Sequence, residues 1–363
     1  MRKPIKICYI LPEYNEDTNS HFFHLYEFLE KLSHKADIFL IVENFKNGKI
    51  RIGNIIYTQK FKFLPLRFLE SFFVVLKARI LGYRNFYTHY CYIGGINAAL
   101  ISRLSGGKSY YWNCAMNWLF KQRGLSRIGY RISLKLSHFL VTGSETMKQG
   151  YVEHYRLKPE KVKVMPNWIN LERFRTQDTE HKIQDTKTLL FVHWLSKRKG
   201  ADTIIPIVKQ LENFKSQVPK FKLLVVGDGP HKEQLLSGIK ENKLEQFIEI
   251  IGGVSNKNIV EYYARADLFI MPSMEEGFPR VLLEAMASGI PYVASDVGAV
   301  REISPETAQR FLVKSGEVEK FAQKIQILLS DKKIYNQFKR EELEKVKEYS
   351  LDRVLDKFLD LFV

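Results

Sequence analysis

The chain has 363 residues, 45% hydrophobic and 26% charged, a composition that excludes a disordered or low-complexity segment and allows a sizeable core. Its three cysteines (Cys8, Cys91, Cys114) are far apart, with no CxxC pair and no zinc-ligand spacing, which argues against a disulfide framework and for a reducing compartment. The formal charge is +16, and residues 1–168 hold nearly all of it, with 26 Lys and Arg against 11 acidic residues. A basic half beside a neutral half implies that one lobe faces something anionic: a membrane leaflet, a phosphorylated acceptor or a nucleic acid.

In chain order, residues 6–11 form a compact apolar run closed by Pro12, which reads as a buried strand. The run is too short for the core of a signal peptide. Residues 21–32 place Phe22, Leu25, Phe28, Leu29 and Leu32 near helical spacing. Residues 36–43 and 55–58 read as strands. Residues 60–84 interleave Phe61, Phe63, Leu66, Leu69, Phe72, Phe73 and Ile80 with Lys60, Lys62, Arg67, Lys77, Arg79 and Arg84, against the single acid Glu70. This suits an interfacial amphipathic helix on anionic lipid, or else a core helix with snorkelling Lys and Arg. A strand over 86–92, a helix from Gly94 through Leu104, and strands at 109–112 and 139–144 complete the first half.

The link is Met165-Pro166-Asn167-Trp168-Ile169-Asn170, followed by a polar stretch at 176–187. Beyond it, residues 188–193, 222–226, 247–251, 268–272 and 291–294 read as five buried strands separated by helix-length segments. Such alternation predicts parallel sheets wrapped by helices. The expected fold is α/β: two Rossmann-like doubly wound domains facing across a cleft, at 1–168 and 169–348, with a terminal helix over 349–363. Sheets of this kind bind ligands at the carboxyl ends of their strands. No stretch approaches 18 uncharged apolar residues, so a cytoplasmic or peripheral protein is expected.

The densest chemistry is Glu275-Glu276-Gly277-Phe278-Pro279-Arg280-Val281-Leu282-Leu283-Glu284. Two glutamates eight residues apart bracket a strand-to-helix turn. A helix starting near Pro279 turns its free N–H groups toward a ligand, a place suited to a diphosphate.

This string resembles the E-x7-E motif of the retaining, GT-B-fold glycosyltransferases of family 4 (group 1 glycosyltransferases). Further pieces match in the same order: Pro166 to Asn170 with Phe174, Lys199-Gly200, Val226-Gly227-Asp228-Gly229-Pro230, the lead-in Ala266 to Ser273, Ser295-Asp296-Val297-Gly298, and Arg301-Glu302. The second half resembles the family almost throughout, the first half only in outline. By analogy the terminal helix crosses back onto the first domain.

The resemblance implies a metal-independent retaining hexosyltransferase that needs no cofactor, its nucleotide-sugar donor being a substrate. It implies that Lys199 and Glu276 are catalytic, Lys199 at the diphosphate and Glu276 at the sugar. Gly277, Phe278, Val281 and Leu282 would offer backbone N–H groups near sugar and phosphate, and Pro279, which has no N–H, would line the same donor site. Glu284 would hold the ribose and Val254 would lie against the base. The acceptor expected is a lipid-linked or other envelope saccharide, with peripheral contact to an anionic membrane through 60–84 and no nucleic acid.

The chain also departs from the family pattern. Trp194 stands where the family has arginine, and His193 where it has glycine. Lys197 or Arg198 offers a replacement cation, or else belongs to a solvated turn. The glycine-rich loop after the first strand is replaced by Asn15 to His21, and the H-G pair by Asn113-Cys114. Asn19, His21, His89 and Asn113 are the acceptor-side candidates. Tyr110, Tyr111, Trp112 and Trp118 suit either core packing or stacking on a sugar. The Gly-Asp-Gly turn fits phosphate contact or simply a turn that needs positive φ. Residues 341–347 read as a solvated helical face. Competing readings are a sugar-nucleotide epimerase of similar shape, a catalytically inactive nucleotide-sugar binder and, on charge alone, a nucleic-acid binder without a recognisable motif.

Overall fold

A computed structural model describes residues 4–16, 22–119, 124–175, 186–214 and 220–363. The chain divides into two compact units, Met1–Pro166 with Val354–Val363, and Asn167–Arg353.

The first unit is built on seven strands: β1 (Ile5–Asn15), β2 (Ala36–Asn47), β3 (Ile55–Thr58), β4 (Asn85–His89), β5 (Lys108–Trp112), β6 (Phe139–Thr142) and β7 (Val162–Val164). Their order is 3-2-1-4-5-6-7, all parallel, and it reverses between β1 and β4. Ile7 to Leu11 are all buried, as a strand covered by helices on both faces requires. The C-terminal segment closes this unit. Phe358 packs against Phe28 and Tyr87, with ring centroids 5.1 and 4.8 Å away, and the Tyr110 hydroxyl donates to the Leu361 carbonyl at 2.8 Å.

The second unit holds six strands: β8 (Thr186–Val192), β9 (Lys220–Val226), β10 (Ile248–Gly252), β11 (Leu268–Met271), β12 (Tyr292–Ser295) and β13 (Leu312–Val313). Their order, β10-β9-β8-β11-β12-β13, is parallel throughout and reverses between β8 and β11. That reversal leaves a gap between diverging loops at the carboxyl edge, where doubly wound sheets take their ligands.

Several expectations are refined. β7 and β13 are too short for any apolar period to announce them. The strand expected through residue 193 ends at Val192, so His193 opens the loop instead of closing the strand. Gly227 and Gly229 have φ of 143° and 154°, the turn-forming reading of that motif. Tyr110, Tyr111 and Trp112 are buried, which assigns them to the core. Residues 341–347 are not a uniformly solvated face. Glu342, on the helix Lys332–Lys345, is fully buried without a hydrogen-bond partner, and burial drives its carboxyl well above the usual range.

Candidate active site

Four loops at the carboxyl edge of the second sheet bring the chemistry together. The loop after β8 carries His193, Trp194 and a 3-10 turn, Lys197–Lys199. The loop after β11 carries Ser273 to Pro279 and leads into the helix Arg280–Ala287. The turn after β9 fixes the first of these. The Leu195 N–H donates to the Asp228 carbonyl at 2.8 Å, and the His231 N–H donates to the Leu195 carbonyl at 3.0 Å.

The loop after β12 fixes the second. Gly298 has φ +56°, and a Cβ there would lie 1.6 Å from the Glu276 carbonyl oxygen. Only glycine lets the two backbones meet this closely. The Ala299 N–H donates to the Gly277 carbonyl at 3.1 Å from the same loop. Gly200 (φ +75°) plays the equivalent part beside Lys199, where a Cβ would come 2.2 Å from the Pro272 carbonyl oxygen.

Glu276 is the centre of the cluster. The Lys199 ammonium sits 2.8 Å from its Oε1, the Ser273 hydroxyl donates to the same oxygen at 2.8 Å, and His193 Nε2 lies 2.9 Å away. The Trp194 backbone N–H donates to His193 Nδ1 at 3.0 Å, so Nδ1 is the acceptor and Nε2 carries the hydrogen given to Glu276. A second proton on the ring would confront that N–H. Burial acts in the same direction and lowers the His193 pKa below that of a free imidazole, opposing the pull of Glu276. His193 is therefore a neutral donor. For Glu276 burial alone would raise the pKa, but His193 and Lys199 outweigh it and hold the carboxyl well below the usual range.

The remaining donor-side candidates lie on the loops after β8, β10 and β11 and on the helix Arg280–Ala287. Lys199 also donates to the Glu275 carbonyl at 3.3 Å, while Arg198 pairs with the Glu275 carboxylate at 2.7 Å and remains largely exposed. Glu284 is buried on the first turns of the helix Arg280–Ala287 and accepts from the Tyr263 hydroxyl at 2.9 Å. Pro279 occupies the N-cap of that helix without a side-chain cap, and Gly277, Phe278, Val281 and Leu282 flank it. The Phe278 carbonyl is taken by the Asn167 side-chain amide at 3.0 Å. Val254 is half-buried just past the end of β10. Trp194 is 60% exposed beside the cluster.

Two of the four acceptor-side candidates are described, His89 and Asn113, at the carboxyl ends of the neighbouring strands β4 and β5. His89, at the carboxyl end of β4, is buried and stacks on Trp112 at 4.1 Å, with Tyr9 Oη 3.2 Å from its Nδ1. Asn113 is buried, and its Oδ1 accepts from the Tyr151 hydroxyl and the Ala115 N–H at 2.8 and 2.9 Å. These bonds fasten Asn113 into the first unit. Asn19 and His21 lie outside the described residues.

Sequence reasoning did not assign roles to His193, Ser273 or Tyr263. The only signal for His193 was its occupation of a position where the pattern has glycine. Among the described residues, no cluster of His, Cys, Asp and Glu is arranged to hold a metal ion.

Known proteins share this architecture. HepE of Anabaena, solved with UDP and glucose, superposes with a TM-score of 0.77 over 98% of this chain and 99% of its own, at 18% identity. WaaG, a glycosyltransferase involved in lipopolysaccharide biosynthesis, gives 0.70 over 98% and 99%, at 14% identity. Two parallel Rossmann-like sheets with this likeness define a GT-B fold.

Residues 173–345 match the family model "Glycosyl transferases group 1". Sulfoquinovosyl transferase SQD2 of Arabidopsis thaliana is 36% identical over 183 residues, 48% of this chain and 34% of its own length. The gpi3 subunit of phosphatidylinositol N-acetylglucosaminyltransferase from Schizosaccharomyces pombe is 29% identical over 168 residues, 46% of this chain and 36% of its own. A Campylobacter jejuni N-acetylgalactosaminyltransferase named for a diphospho-undecaprenol-linked acceptor is 26% identical over 211 residues, 58% and 56% of the two chains. The chain thus spans between a third and three fifths of the length of these curated relatives.

Proposed function

We propose that this chain transfers a hexose from a nucleoside-diphosphate sugar to a lipid-linked or envelope saccharide acceptor, with retention of configuration. The observation that carries the reading is the convergence of Lys199, His193 and Ser273 on Glu276 at the switch point of the second sheet. As the glycosidic bond breaks, the bonding pair leaves with the diphosphate, whose charge increases. Lys199 and the N–H groups at the start of the helix Arg280–Ala287 stabilise that charge more in the transition state than in the ground state. In this reading they supply the positive charge a metal would otherwise give, so turnover survives a chelator. Arg198, paired with Glu275 and largely exposed, adds a second cation.

Glu276 meets the transferred sugar. Three donors hold its carboxylate through Oε1, leaving Oε2 for a sugar hydroxyl. Glu284 holds the ribose and Val254 lies against the base. The lipid-linked class of acceptor is supported by two relatives, whose names include phosphatidylinositol and diphospho-undecaprenol. It also agrees with the basic first half, which we place peripherally against a membrane.

Glu276→Ala should lower transfer by about 10²–10³-fold, more than the loss of folded protein explains, and should also lower the melting temperature because Lys199 and His193 lose their buried partner. Product assays with radiolabelled donor read this directly. Near-normal turnover in that variant would remove Glu276 from the mechanism.

A further inference from the structure

Between Glu43 and Glu145 the sequence has one acidic residue, Glu70, among sixteen lysines and arginines. The structure turns that one acid inward. Glu70 is buried on the helix Leu64–Ile80, where its carboxylate accepts from the Tyr57 hydroxyl and the Lys60 N–H at 2.8 Å, and from the Phe61 N–H at 3.2 Å. The same inner stripe holds Ser71, Val74, Val75 and Ala78, and Val74, Val75 and Ala78 join the core with Cys8, Ile10, Phe39 and Phe86.

The outer stripe is also apolar. Leu66, Leu69, Phe73 and Ile80 recur at helical spacing along about 20 Å of axis, and Phe63 precedes them. Phe63, Phe73 and Ile80 are 68%, 62% and 76% exposed. Lys60, Lys62 and Lys77 border this stripe and form no ion pair with a described residue.

A second surface of the same kind lies two helices away. The helix Tyr92–Ser105 packs between Leu64–Ile80 and Leu125–Leu136. Hydrogen bonds run from Asn97 to the Phe68 carbonyl (3.0 Å), Ser133 to the Tyr92 carbonyl (2.9 Å) and Arg103 to the Leu136 carbonyl (2.8 Å). Leu125–Leu136 turns Arg127, Ile128, Arg131, Ile132 and Lys135 outward, again without an acid. One helical layer of the first unit thus exposes aliphatic and aromatic groups interleaved with unpaired cations.

We infer that this layer is a docking face for an anionic phospholipid bilayer, with the outer groups of Leu64–Ile80 entering the headgroup boundary and Arg127, Arg131 and Lys135 meeting lipid phosphates. Charge decides between occupants. A second copy would set these cations against one another, whereas an anionic leaflet neutralises them and accepts the apolar stripe. The inference deepens the peripheral-membrane part of the proposed function, and it is tested by a measurement independent of transfer.

Full-length protein is floated with vesicles of phosphatidylglycerol in phosphatidylcholine, and with phosphatidylcholine alone, at low and high salt. The wild type should partition to the anionic vesicles, weakly to the neutral ones, and less as salt rises. Leu69→Ser with Phe73→Ser, and separately Arg127→Gln with Arg131→Gln, should each reduce partitioning about tenfold or more while melting temperature and nucleotide binding stay unchanged. Phe72 packs against the core, so Phe72→Ser should instead lower stability. No affinity of the wild type for anionic vesicles would overturn the inference, as would undiminished binding by both double variants. A dimer that Phe73→Ser dissolves, without vesicle binding, would assign the face to a second copy. Transfer to a soluble acceptor that survives any of these failures would leave the enzymatic reading standing.

Discussion

His193 makes the chemistry of Glu276 depend on a proton it does not carry. Its ring is neutral because burial disfavours the charged form and because Nδ1 already accepts from Trp194. The unfolded chain therefore takes up a proton as pH falls through the ordinary imidazole value of about 6.5, while the folded chain resists it. Stability present above that value is lost on acidification toward the lowered folded pKa. Glu276, also lowered, adds to the loss only below the ordinary carboxylate value of about 4.3, and that loss is complete once pH has fallen through its folded value. Replacing His193 by Gln keeps a donor for Glu276 but removes the imidazole titration. Melting curves between pH 7 and 5 should fall less steeply for His193→Gln than for the wild type; parallel curves would mean that His193 does not titrate with folding.

At the scale of elements, loops do the positioning and glycines let them meet. Gly298→Ala requires both a left-handed alanine and displacement of the Glu276 carbonyl. Strain of this kind costs about 1–3 kcal/mol, read as a lower melting temperature. The loss of transfer should exceed what the folded fraction explains, because the clash falls on Glu276 itself. If activity fell only in proportion to stability, the loop would not be setting the carboxylate.

These loops also mark where the sequence was legible. The strands of the second unit stood out as buried apolar runs, and Lys199, Glu276 and Glu284 stood out because each lies in a short contiguous motif. His193 did not, since its partner is 83 residues away and contact exists only after β8 and β11 pair. Glu342 was misread because its helix is rich in charge, and only the packing of Phe338 against Tyr292 shows that part of this face is covered. The two shortest strands carried too few residues to show a period. In the first unit the helix over 60–84 was visible, but not that it has two apolar stripes; the position of Glu70 separates them.

Across the whole molecule the charge is divided by task. The first unit carries cations that few acids balance, while the second balances its cations with acids and sets Lys199 against one buried carboxylate. Among the described residues no helix is long and apolar enough to cross a membrane. The central claim is that the carboxyl edge of the second sheet holds a nucleoside diphosphate through Lys199. Calorimetric titration of UDP, GDP and ADP into the wild type and Lys199→Ala, with a chelator present, tests it most directly. The account predicts that one of the three binds the wild type and is weakened at least about tenfold in the variant, as expected for a lost hydrogen bond to a charged group. No binding by any of them, or equal binding by the variant, would contradict it.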